Sequence, residues 1–390
     1  MTANIKQQTM EEEKVNHQEN EKMEQENPQQ ENQEKQNGDK IAQQEQKETE
    51  KTDENNNNEG ENNKVKKQVQ VQNMQVPIEP IKYNHIGEGD LKAEADDEGQ
   101  LHFLSCRIGA IKNIDHLINL KGLFLRKNLI EKIEGLENLV NLEELELYDN
   151  KIKKIEGINH LTKLRVLDLS FNVIKKIENM SNLVNVEKLF LASNKIKKIE
   201  NLEHFEKVTM LELGSNKISK IENLSHFKNC RELFLGRNKI EKIENLDGLD
   251  SLELLALTAN RISKIENLEV VSHIDQLYIA ENMLTQIENL FTLTNLDTLD
   301  LCMNKITSLK GIENLKELTE LWINNNEIED FNDLDLLKNN PNLQTVYLQY
   351  NPVALYPGYK HKLMQILPNI QQIDAAYLNV QYNFKQEQKQ

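Results

Sequence analysis

Three histidines, His160, His204 and His226, fall at one position of a 22-residue period, the last two a single period apart. A histidine column could hold zinc, but zinc takes four ligands at close spacing, and no cysteine or acid joins these three at such spacing. No metal site is expected. Cys302 could act as a nucleophile only beside an activating base, and the sequence supplies none. It reads as a small exposed residue. No glycine-rich phosphate loop and no G-x-S-x-G turn occurs, and most of the 14 glycines fall at turns. Neither an enzyme site nor a cofactor is expected.

The remaining candidate chemistry is recognition. The same period sets up a column that reads Phe124, Glu146, Asp168, Phe190, Glu212, Phe234, Ala256, Tyr278, Asp300 and Trp322. Two residues before it lie Glu144, Lys188, Glu232 and Glu320; two after it lie Arg126 and Tyr148. These columns hold seven acids, two bases and six aromatics, including the only tryptophan of the chain. Large aromatics ringed by charge have the composition of interface hot spots. Folding alone does not require them to face outward. The rival reading is that neighbouring aromatics pack on one another and stiffen the arc, and for Phe124 the two readings are balanced.

The element that must position these residues is a repeat. Segments such as "LELYDNKIKKIEGI", "LFLASNKIKKIENL" and "LELGSNKISKIENL" superpose at a period of 22, marked by Asn128, Asn150 and every twenty-second residue to Asn326. Cys106 stands one period earlier and Asn351 one degenerate period later, which makes about twelve units. The pattern L-x-x-L-x-L-x-x-N-x-I-x-x-I is that of leucine-rich repeats, and self-similarity at this length means a solenoid. The L-x-L reads as a short strand whose alternate side chains point in and out. Stacked units form a parallel concave sheet, with short helical or extended turns on the convex side, an α/β architecture. The asparagine turns the chain inward and is expected to bond the backbone of neighbouring coils. "KIKKIE" and its variants are expected to alternate lysine with glutamate on adjacent coils as a solvated ion-pair lattice.

The expected organisation is an acidic Gln/Asn/Glu/Lys-rich tail over 1–84, an N-terminal cap over 85–100, the solenoid over 101–351, a C-terminal cap over 352–380 and a short tail over 381–390. Residues 1 to 75 carry 17 acids and 10 lysines, and no aromatic precedes Tyr83. Such a segment buries too little apolar area to offset chain entropy, so disorder is expected. The cap, with Pro352, Pro357 and Pro368, reads as a helix from Tyr359 to Leu367 and a strand ending near Asp374.

With a net charge of −17 and no basic tract, the chain suits basic protein partners rather than nucleic acid or anionic membranes. The start is polar, with no secretory core, and three scattered cysteines suit a reducing compartment. The triplets beginning at Asn179 and Asn223, which match the glycosylation pattern, read as chance.

The repeats "ELFLGRNKIEKI" and "ELWINNNEIEDFNDLDLLKNNPNLQTVYLQYNP", with the cap "YPGYKHKLMQILPNIQQIDA", resemble the leucine-rich-repeat regulatory subunit 7 family of protein phosphatase 1, over residues 101 to 380. The resemblance implies a concave face that docks the phosphatase catalytic subunit through Asp168, Phe190, Glu212, Phe234, Asp300, Glu320, Trp322 and Tyr347. The column reading adds Tyr278. It also implies a nuclear and cytoplasmic, non-catalytic subunit, monomeric before its partner binds, with a further phosphatase inhibitor as a second partner. Cys106 and Ala256 depart from the family's pattern. The competing expectation is a scaffold for another partner, such as an axonemal dynein-associated protein.

Overall fold

The computed structural model describes residues 83–378; the expected tails therefore lie almost wholly outside the described residues. Within them runs one 14-stranded sheet whose spatial order is its sequence order. Thirteen strands pair in parallel, and Ala376–Tyr377 closes the far edge antiparallel to Gln372–Ile373. Most strands have three residues, such as Lys188–Phe190 and Met210–Glu212. Each pairs in strict register with the next, so that Leu189 meets Leu211 and Phe190 meets Glu212. The 22-residue period therefore becomes a set of straight columns.

The inward residues of one coil show what holds it. Leu211, Leu213, Ile218, Ile221, Leu224 and Phe227 are all buried. Each fully buried aliphatic side chain contributes about 1.5–3 kcal/mol relative to exposure. The polar backbone at the turn is satisfied by the marker asparagine. Asn216 donates Nδ2 to the carbonyls of Leu191 at 2.9 Å and Leu213 at 3.0 Å, while its Oδ1 accepts from the Ile196 N–H at 3.0 Å. The same set recurs from Asn150 to Asn326.

A second ladder stands seven residues further on. Asn179, Asn201 and Asn223 each donate Nδ2 to an isoleucine carbonyl of the preceding coil at 2.7 Å. Their φ values lie between 56° and 60°, and Gly135, Gly157 and Gly311 occupy the same column at positive φ. Left-handed backbone favours glycine and asparagine, which explains the alternation. The two glycosylation-like triplets are thus explained by Asn179 and Asn223 serving as coil-to-coil connectors.

The convex side departs in part from the expected lattice. In the Lys132 and Glu134 columns strict register stacks like on like, and pairs form within a coil: Lys132–Glu134 at 3.2 Å, Lys154–Glu156 at 3.7 Å and Lys264–Glu266 at 3.9 Å. Other columns pair opposite charges across coils: Lys153–Glu131 at 2.6 Å, Arg165–Glu187 at 2.9 Å, Arg231–Glu253 at 2.6 Å and Arg261–Glu241 at 4.0 Å. Exposed pairs of this kind contribute about 0–1 kcal/mol each. The turns carry little helix: one three-residue 3-10 turn at Glu269–Val271 and a longer one at Phe331–Asn339.

Both ends reuse the repeat chemistry. Asn84, 22 residues before Cys106, donates Nδ2 to the Cys106 carbonyl at 2.7 Å, and Ile86 is buried beneath the first coil. Part of a further coil therefore spans the expected boundary between tail and N-terminal cap at residues 84 and 85. At the other end, the expected cap helix spans Tyr359–Ile366. Asp374 stands in for the carbonyls of a following strand: its Oδ1 accepts from the Leu348 and Gln349 N–H groups, both at 2.9 Å, as the Tyr347 carbonyl accepts from Ile323 one coil earlier. Its Oδ2 accepts from the Tyr359 hydroxyl and pairs with Lys360 at 3.3 Å.

Candidate functional site

The strand face brings the predicted column together. Parallel register sets Phe190, Glu212 and Phe234 side by side on three adjacent strands, and Tyr278, Asp300 and Trp322 on three more. Ala256 separates the two groups. Adjacent strands lie about 4.8 Å apart, so each central carboxylate stands between two aromatic neighbours, and the two carboxylates are roughly 19 Å apart. Tyr347 extends the second group beyond Trp322. The sequence reading placed Trp322 facing water. It is instead half-buried, with ring centroids 6.5 Å from Tyr278 and 6.2 Å from Tyr347, both edge-on. Its indole N–H is buried without an acceptor.

The acids are held as firmly as the rings. Glu212 accepts from the Gly214 N–H at 2.7 Å, Asp168 from the Ser170 N–H at 2.8 Å and Asp300 from the Cys302 N–H at 3.0 Å. Each acid thus caps the backbone two residues along its own strand, where a small residue leaves room. The signal was present in sequence as D-L-S, E-L-G and D-L-C. Burial raises the carboxyls of Asp168, Glu232 and Asp300 above the ordinary range. Glu212 is pushed up to about 7, first by burial and then by the charge of Asp168, against the opposing Gly214 bond.

That shift has a sign. The folded state holds the Glu212 proton to about pH 7, whereas the unfolded chain releases it near 4.5. The contribution of Glu212 to stability is therefore fully present below the unfolded value and is lost as pH rises to about 7. Glu212→Gln is expected to stabilise the protein at about pH 8 by roughly 1–3 kcal/mol, a gain absent near pH 4. Urea titrations of both proteins across that range measure it.

Other residues of the columns are already paired. Arg126 forms a bidentate pair with Glu146, and Phe124 stacks on His102 at 4.3 Å. The stacking reading therefore describes Phe124. Glu144, Lys188 and Glu320 stand on the same strand face, Lys188 exposed. Cys302 is half-buried rather than exposed; its thiol donates to Asn324 Oδ1 at 2.7 Å, and burial and the Asp300 charge push its pKa up. Such a thiol is a poor nucleophile. His160 bonds the Leu136 carbonyl at 3.0 Å and His204 lies 3.6 Å from Glu203. Among the described residues no three ligating side chains converge, and no helix is long and apolar enough to cross a membrane.

The comparisons agree with this architecture. A family model described as "Leucine Rich repeats (2 copies)" matches residues 140–182, 184–226 and 294–336. The protein phosphatase 1 regulatory subunit 7 of Danio rerio is 48% identical over 44 residues, 11% of this chain and 13% of that protein. That of Mus musculus is also 48% identical over 44 residues, 12% of its length. The match thus spans a small part of those relatives, less than the residues 101 to 380 that the sequence reading assigned to the resemblance. Among solved structures, an internalin of Listeria monocytogenes is 25% identical with a TM-score of 0.57, covering 71% of this chain and 87% of that one. By fold, then, the chain is a leucine-rich-repeat solenoid, and by sequence it is similar, across a short stretch, to regulatory subunit 7 of protein phosphatase 1.

Proposed function

We propose that the chain is a non-catalytic regulatory subunit whose concave face docks the catalytic subunit of protein phosphatase 1 and controls its activity, maturation or localisation, in nucleus and cytoplasm. The observation that carries this reading is the pair of carboxylates, Glu212 and Asp300, each set between two aromatic residues on neighbouring strands. A lysine or arginine of the partner entering either station meets a charge flanked by ring faces and edges. Cation–aromatic contact adds about 0.5–2 kcal/mol to such an ion pair. The rings supply apolar area, and the acids steer a basic surface and set its register. The chemistry remains that of the phosphatase. The short similarity to proteins named as phosphatase 1 regulatory subunits supports the choice of partner.

Calorimetric titration of purified chain with the phosphatase catalytic subunit tests it. Glu212 attracts a cation only when ionised, so affinity is expected to rise severalfold between about pH 6 and about pH 8, on either side of its value near 7. Added salt is expected to weaken binding, and Glu212→Gln to flatten the pH dependence. Absence of heat at any pH would remove the phosphatase from the reading.

A further inference from the structure

The register of the convex turns contains one residue that folding does not ask for. Four residues after the marker asparagine, the coils carry lysine from Lys132 to Lys264, then Gln286, Ser308 and Asp330. In the last coil the position is Leu355, and it is 85% exposed. It lies on the 3-10 turn Pro352–Leu355. That turn is anchored by its neighbour Val353, which is buried and donates its N–H to the Ile328 carbonyl at 2.8 Å. The core is filled without Leu355. Tyr356, next along, is 45% exposed.

The facing coil is acidic at Asp330 and Glu327, whose columns are mostly basic elsewhere, and at Glu329, whose column is mixed. Glu327, Glu329 and Asp330 line one side of an open groove of about 760 Å³, with Phe331, Pro352 and Tyr356 on the other. Phe331 and Tyr356 pack with ring centroids 5.6 Å apart. Lys362 already rests 4.7 Å from the Phe331 ring centroid, its charge paired with Asp335 at 2.9 Å. The ring surface thus accepts a cation. Among the described residues, Glu327 and Glu329 hold no ion pair, so their charge is open to a partner.

We propose that this groove docks a basic linear segment of a partner protein, with lysine or arginine against Glu327 and Glu329 and an apolar side chain against Pro352 and Tyr356, reaching the exposed Leu355 beside the groove. Three carboxylates repel phosphate, which disfavours nucleic acid and anionic lipid. The lysine column of a second copy could meet the acids. It is flanked by half-buried glutamates, though, and offers no apolar group to cover Leu355. A segment carrying both kinds of side chain satisfies both walls. The site lies on the outer turns and stands or falls independently of the concave strand face.

The test is fluorescence anisotropy with full-length protein and a labelled short peptide of alternating lysine, serine and leucine, at near-physiological salt. Saturable binding is expected, weakened about tenfold or more by Leu355→Lys and by the double variant Glu327→Lys/Glu329→Lys, and unchanged by Trp322→Ala. Leu355→Ser provides a second readout if the lysine variant misfolds by circular dichroism. Four results would overturn the proposal. Binding by folded Leu355 variants equal to wild type would empty the groove of its role. Loss only in Trp322→Ala would assign the peptide to the concave face. Equal binding of a peptide with serine for every leucine would reduce the effect to bulk acidity. Finally, a concentration-dependent dimer in sedimentation that Leu355→Lys abolishes would make the occupant a second copy.

Discussion

Asn216→Ala is expected to destabilise the solenoid by about 3–5 kcal/mol, and the equivalent change at Asn172 or Asn194 by a similar amount. The amide makes no contact with solvent-side chemistry; its whole role is internal. Nδ2 serves the carbonyls of Leu191, Leu213 and Gly214, and Oδ1 serves the Ile196 N–H. Alanine leaves these groups in a dry turn with no replacement partner. Each buried orphan costs about 1–3 kcal/mol, and relaxation recovers part of the sum. Asn216→Asp is a useful companion, because it keeps the acceptor and removes the donors. It is expected to lose at least half as much. Chemical denaturation of both variants measures the difference, and a loss below about 1 kcal/mol for alanine would mean that the ladder is not what holds the turn.

Trp322→Ala is expected to weaken binding of the phosphatase catalytic subunit by about 30-fold to several hundred-fold, equivalent to about 2–4 kcal/mol. The indole stands edge-on between Tyr278 and Tyr347, next to Asp300, so its removal also loosens both neighbours. Trp322→Phe separates ring from N–H. The buried indole nitrogen has no acceptor and no open path to one on a partner. The phenylalanine variant is therefore expected to bind within about fivefold of wild type and to be no less stable, since it removes an unpaired donor. Loss of binding in Trp322→Phe as severe as in Trp322→Ala would show that the N–H, and not the ring, makes the contact. Calorimetry with circular dichroism on both variants decides between them.

The repeat was legible because its causes are local. Leu211 and Leu213, Ile218 and Ile221 announce strand and turn within a dozen residues, and Asn216 marks the bend between them. The cap helix was equally plain from the prolines around Tyr359–Ile366. What stayed hidden depends on neighbours 22 residues away. Strand alternation places Trp322 outward, but only the stacking of its own column shows that Tyr278 and Tyr347 enclose it. The acids looked like free surface charge, yet Glu212 is held by its own strand and flanked by Phe190 and Phe234. Lysine and glutamate were expected to alternate between coils; some columns do so, as at Glu131 and Lys153, but the Lys132 and Glu134 columns align like with like. Asn84 escaped notice because no L-x-L precedes it in the sequence to complete the pattern.

A stack of equivalent layers has no intrinsic length, and the same surface that receives each coil would receive a foreign one. The chain solves this as a polymer chemist would, with a terminator. Asp374 reaches back to Leu348 and Gln349 where a following strand's carbonyls would, and its other oxygen is consumed by Tyr359 and Lys360 of the cap. The strand Gln372–Ile373 is met by a reversed strand, Ala376–Tyr377, that offers the wrong polarity for another parallel layer. Growth from this end stops within the molecule. One carboxylate and two antiparallel residues thus close this edge of the sheet.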